Sequence, residues 1–135
     1  MTNNEKSLGL IVIDSYQLME YSSVDDYQAQ LERNTKELKN LAKELNVPVL
    51  ITVPISGRVE ERENRRPMLS DIRDSDVLED YGDIIVMLYR DEYYDPETED
   101  RGIAELIVTT HRNGPVGTVK MLFEPQFGRY RNLAA

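Results

Sequence analysis

The chain has 135 residues, and 16 Lys and Arg against 25 Asp and Glu leave a formal charge of −9. That length fits one domain, and a 40% apolar fraction is enough for a core. The absence of cysteine excludes disulfides, thiolate nucleophiles and Cys-ligated metals, and a single histidine, His111, excludes His-cluster metal sites. The acidic balance argues against non-specific nucleic-acid binding, because neutralising phosphates takes Lys and Arg. No apolar run approaches the roughly 18 residues of a membrane span. The start, Met1 to Lys6, lacks the basic-then-apolar build of a secretion signal. A soluble, cytoplasmic α/β protein is expected.

Residues 8–13 (LGLIVI) form a short β-branched run ending at Asp14, which reads as a buried parallel strand covered on both faces. Residues 15–23 read as a turn. Ser23 with Asp26 makes a capping-box-like helix start, and Asp25 and Asp26 suit the positive end of the helix dipole. The helix runs to about Leu45. Leu31, Asn34, Leu38, Leu41, Ala42 and Leu45 share one face, and Asn46 before Val47-Pro48 supplies the stop. Residues 49–53 (VLITV) are a second strand, which makes a right-handed βαβ unit, and Pro54 ends it.

Residues 55–82 carry Arg58, Arg62, Arg65, Arg66 and Arg73 among eight acids, with a short helix expected near Glu60 to Asn64. A connection this long in a small domain is usually functional or mobile. Residues 84–89 (IIVMLY) read as a third buried strand, and Arg90 to Asp100 as an acidic turn. Residues 103–110 and 117–123 read as strands joined through Asn113-Gly114, hence an antiparallel pair. Phe127 and Tyr130 are expected to tuck the tail against the sheet, while residues 1–7 and 133–135 are expected to be loose.

Chemistry-bearing residues are few. Leu10-Ile11-Val12-Ile13-Asp14 has the form of a Walker B strand, which aims a carboxylate at nucleotide-bound Mg²⁺. Alone the pattern is weak, because many doubly wound sheets end a strand in Asp. The five arginines of the long loop could meet a phosphate backbone, but eight acids favour a solvated loop with internal ion pairs. Arg112 sits in a Gly-Pro-flanked turn, from which a cation could reach a neighbouring subunit. The acids from Asp91 to Asp100 lack the ligand order of an EF-hand loop. Tyr93 and Tyr94 could stack on a base, although packing on the preceding strand is favoured.

Taken together these segments are more specific. The order LIVID, YQLM, LKNLAKELNVPV, RVEERENRRPMLSD, DIIVMLYRDEYY and RNGPVGTVK resembles the C-terminal part of the RecA-like motor domain of DnaB-type replicative DNA helicases, from about Gly9 to Asn132. The resemblance implies a single partial RecA-like domain over residues 1–135, with a mostly parallel sheet and a C-terminal antiparallel hairpin. It implies a family of hexameric ATPases that use ATP and Mg²⁺ to unwind DNA. By resemblance, Asp14 matches the Walker B carboxylate, which would hold Mg²⁺ through water if nucleotide binds. Arg112 matches an arginine that reaches the neighbouring subunit's ATP, and Arg73 and Asp74 match a DNA-holding channel loop.

Departures from the family pattern point to lost motor function. No GxxxxGK[ST] occurs in the sequence, so nothing cradles β- and γ-phosphates. The family's catalytic carboxylate and collar domain precede the position of Asp14 and are not in this sequence. Pro54 stands where the family has a γ-phosphate-sensing Gln, Asp76 where the channel loop usually has Gly, and Thr110 where the family has Lys. The expectation is a helicase fragment or paralogue with no cofactor and no ATPase activity by itself, acting by self-association or by binding a helicase subunit or another replication protein. The alternatives are one half of a split helicase, completed by a P-loop-bearing partner, and a single-stranded-DNA-binding module. In RecA-like sheets the P-loop strand lies between the strands matching 49–53 and 84–89. The favoured repair of its absence is direct pairing of those two strands.

Overall fold

The apolar run near the start becomes strand β1 (Ile11–Ile13) in the computed structural model, which describes residues 6–16 and 27–133. β1 pairs in parallel with β2 (Val49–Ile51), and Val12 lies opposite Leu50. Helix α1 (Tyr27–Leu45) joins them. Its expected cap at Ser23 and Asp26, the turn through residue 23 and most of the YQLM segment lie outside the described residues. The stop is as expected. Asn46 takes φ 52°, Val47 N–H donates to Ala42 O at 3.1 Å and Asn46 N–H to Lys43 O at 3.3 Å, the two bonds of a Schellman motif. Tyr16 Oη donates to Leu31 O at 3.1 Å and also meets Thr35 Oγ1, so a buried hydroxyl pair ties the end of β1 to α1.

Contacts divide the chain into two units, residues up to Ile55 with Ile72–Tyr81, and Ser56–Asp71 with residues 82 onward. The first holds β1, β2, α1 and a helix the sequence reading lacked, α2 (Ser75–Tyr81). Val77 and Leu78 of α2 are buried, and α2 packs against α1. The expectation that the 8–13 strand is covered on both faces fails: Leu10 and Val12 are exposed, as is Leu50 of β2.

The second unit is built on β3 (Ile84–Tyr89), β4 (Ile103–His111), β5 (Gly117–Glu124) and β6 (Arg129–Arg131), an antiparallel sheet in chain order. The β4–β5 hairpin turns at Asn113-Gly114 as expected. Among the described residues, parallel pairing is confined to β1–β2. β2 and β3 belong to different sheets, so the expected direct pairing of those strands does not occur. The turn after β3 contains a one-turn helix, α3 (Asp91–Tyr94), where the sequence suggested only a turn. The helix expected at Glu60 to Asn64 is a 3-10 turn that lies earlier in the chain, Gly57–Glu61, opened by Ser56 Oγ accepting from Arg58 N–H. Tyr130 packs on Phe123 with ring centroids 4.8 Å apart, whereas Phe127 stays exposed. No helix among the described residues is long and apolar enough to cross a membrane.

Candidate functional site

Asp14 lies just past the carboxyl end of β1. Thr52 follows β2 in parallel register, and its Oγ1 donates to Asp14 Oδ1 at 2.6 Å. Thr52 N–H also donates to Ile13 O at 3.1 Å, which fixes the hydroxyl beside the carboxylate. Thr52 went unremarked in the sequence because its role depends on strand pairing rather than on a motif.

In the second unit, Arg112 opens the β4–β5 turn. Its N–H donates to Asp83 O at 3.0 Å, and its guanidinium lies 3.5 Å from Asp83 Oδ1. His111 is a turn residue: its Nδ1 accepts from Asn113 N–H at 3.2 Å. A Cβ at Gly114 would sit 2.8 Å from the imidazole, so a larger residue there would push the ring aside.

Arg73 and Asp74, in the first unit, pair with one another at 3.5 Å, and Arg73 also lies 4.4 Å over the Tyr27 ring. Asp74 adopts φ 54°, and its backbone carbonyl accepts from Val77 N–H at the start of α2. Asp76, read from the sequence as a charge opposed to DNA, sits in the first turn of α2. A carboxylate there is favoured by the helix dipole.

Three of the loop's arginines, Arg62, Arg65 and Arg66, are engaged within the second unit. Arg62 makes a fork to buried Asp71, with Nη2 2.9 Å from Oδ2, and also donates to Arg66 O at 2.9 Å and Asn64 O at 3.2 Å. Met68 N–H donates to the same carboxylate at 2.7 Å. The fork, and then the Met68 amide, hold Asp71 below the usual carboxylate range. Ser56 N–H donates to Asp71 O at 2.7 Å, closing the loop at its base. Arg66 bonds Glu105 of β4 at 2.9 Å and covers the Tyr89 ring at 4.7 Å, while Arg65 covers Tyr94 at 5.1 Å.

This loop therefore lies on one face of the antiparallel sheet. Burial, followed by the bond from its hydroxyl to Asp91, pushes Tyr89 up to about 12. Tyr94 stacks on Tyr89 at 5.8 Å, as the sequence favoured, and Tyr93 is exposed. A cleft of about 430 Å³ opens here, lined by Arg65, Arg66, Tyr89, Asp91, Tyr94 and Asp95 among others. Both guanidiniums already rest on rings, and acids match or exceed them in number, so the cleft does not favour an anion.

ATP and Mg²⁺, implied by the resemblance, do not fit these residues alone. The sequence has no GxxxxGK[ST] loop to cradle phosphates. No group of three or more His, Asp or Glu side chains among the described residues could hold a metal.

The segments quoted above run through both units in one order, and a model of the DnaB-like helicase C terminal domain matches residues 1–132. The chain belongs to that family. It is 46% identical over 131 residues to replicative DNA helicase DnaC of Bacillus subtilis (strain 168), covering 96% of this chain and 29% of the relative. It is 44% identical over 131 residues to replicative DNA helicase DnaB of Geobacillus stearothermophilus, with the same coverage. A solved ATPase domain superposes with a TM-score of 0.86 at 44% identity, over 93% of this chain and 44% of that one. A DnaB-like replicative helicase described with its primase interactions gives the same TM-score and identity over 30% of its chain. These DnaB-like residues thus span less than a third of the curated relatives they match.

Proposed function

We propose that these 135 residues are a DnaB-like helicase segment that does not hydrolyse ATP by itself and works as one partial, cytoplasmic RecA-like domain in protein–protein interaction. The single observation that carries this reading is the missing phosphate cradle: the sequence has no GxxxxGK[ST]. Asp14 accepts one hydrogen bond from Thr52, and Arg112 lies 3.5 Å from Asp83 in an exposed pair. Pro54 cannot relay a γ-phosphate signal, since it has neither a side-chain amide nor a backbone donor. ATP hydrolysis measured with the purified chain, with and without single-stranded DNA, tests the reading. No turnover is expected. Turnover that tracks the protein and disappears in Asp14→Ala overturns it.

A DNA-binding role through Arg73 and Asp74, or through the arginine loop, has less support. Arg62, Arg65 and Arg66 rest on internal acids or rings, whereas Arg58 is exposed and Arg73, although it lies over the Tyr27 ring, keeps 78% of its side chain exposed. The split-helicase reading is favoured by one observation, the uncovered apolar strand faces, with Val12, Leu50, Val86 and Leu88 exposed.

A further inference from the structure

The cleft beneath the arginine loop lies wholly within the second unit and contains none of the residues that resemble the motor, Asp14, Arg73, Asp74 or Arg112. At about 430 Å³ it has room for a long side chain and some adjoining backbone. Its floor is a ladder of rings and cations. Arg66 lies on Tyr89 at 4.7 Å, Tyr94 stacks on Tyr89 at 5.8 Å, and Arg65 lies on Tyr94 at 5.1 Å. Tyr93 stands edge-on to Tyr94 at 5.0 Å and is 69% exposed, so most of its ring is open.

The charge of the cleft is unbalanced. Glu63, Asp91 and Asp95 line it together with Arg65 and Arg66. Arg66 is already matched by Glu105, which leaves Arg65 against three carboxylates. Asp91 accepts from two neutral hydroxyls, Thr98 and Tyr89, which keep it ionised and cancel none of its charge. These acids do not converge as metal ligands do, since among the described residues no group of three could hold an ion. The same excess repels phosphate, so a nucleic acid does not fit.

We propose that this cleft receives an arginine side chain of a partner polypeptide, its guanidinium paired with the cleft's carboxylates and lying against the Tyr93 ring. This deepens the interaction reading and rests on it. Arginine fits better than lysine, because a planar guanidinium can bond a carboxylate through its edge while its face lies on a ring. Lysine brings only a point charge, which the carboxylates can reach but the ring holds less well.

The test titrates the full ¹⁵N-labelled chain with the peptide acetyl-Ala-Arg-Ala-amide and follows amide shifts by NMR. Saturable shifts are expected, concentrated at residues 64–66 and 93–95. The citrulline counterpart, which keeps the shape and loses the charge, should give none, and the lysine counterpart should bind more weakly. Glu63→Gln with Asp95→Asn should weaken binding at least about fivefold. Both side chains are exposed, so the rest of the spectrum should stay in place. If the double variant misfolds, Glu63→Gln alone and the citrulline comparison still decide. Absent or non-saturable shifts overturn the proposal, as do equal binding by the citrulline peptide and shifts as large at the exposed acids of α2. Lysine binding as tightly as arginine overturns the choice of occupant. ATP turnover by the chain alone would instead sink the underlying reading and leave the cleft to be judged by the titration.

Discussion

At the scale of single residues, Asp71 is the most consequential side chain in the described structure. It is 5% exposed, takes the Arg62 fork and the Met68 amide on its carboxylate, and receives Ser56 on its backbone carbonyl. Asp71→Asn removes the charge while keeping the shape, leaving the guanidinium facing a neutral amide. The variant should melt several degrees lower at neutral pH, as read by circular dichroism. Because the folded carboxyl titrates below the unfolded value of 3.8, its contribution is present above that pH and is lost as pH falls through the lower folded value. The difference between the two proteins should therefore shrink in acid. Tyr89 has the opposite sign. Its folded value of about 12 lies above the ordinary 10.0, so its contribution is intact below pH 10 and fades as pH rises towards 12. Ultraviolet titration of the native protein should show a late phenolate step that Tyr89→Phe removes. A step of unchanged amplitude in that variant would contradict the burial described for this ring.

At the scale of elements, the arginine loop shows why charge counting has limits. Eight acids among five arginines correctly suggested internal pairing, but not which pairs form, since Arg66 reaches Glu105 across 39 positions of sequence. Val59, the most deeply buried residue of the loop at 2% exposure, anchors it. Val59→Ala should cost about 2 kcal/mol through lost burial and the cavity left behind, measurable by urea unfolding. A cost near zero would mean that the loop is not packed as described. Helix α2 escaped the sequence reading because seven residues with two adjacent apolar positions give too little periodicity to stand out. Its burial comes from α1, a partner distant in sequence. The β4–β5 hairpin was legible because a Gly-Pro-containing turn segment separates two apolar β-branched runs, although neither Asn113 nor Gly114 takes the positive φ of a two-residue Asn-Gly turn. The stop of α1 was legible because Asn46 tolerates positive φ.

At the scale of the whole molecule, net charge and occupied arginines point the same way. Single-stranded DNA titrated at low salt should bind undetectably. Affinity that falls steeply with added salt would show several phosphate contacts and contradict the internal use of those arginines. Membership in the DnaB-like family was readable from ordered motifs, because RPMLSD, YRDEYY and RNGPVGTV are contiguous segments. The missing phosphate cradle was equally a matter of sequence. Strand partnership was not. A parallel neighbour, an antiparallel neighbour and no neighbour all accept the same apolar run, so residues 84–89 read as buried while half their side chains stand open. Likewise, Asp14 could be named as a candidate from a strand ending in acid, but its occupation by Thr52 exists only once β1 and β2 lie side by side. Local backbone chemistry and contiguous motifs are written along the chain. Burial, edge exposure and the partners of a charge are properties of residues brought together by folding, and only the tertiary structure decided them.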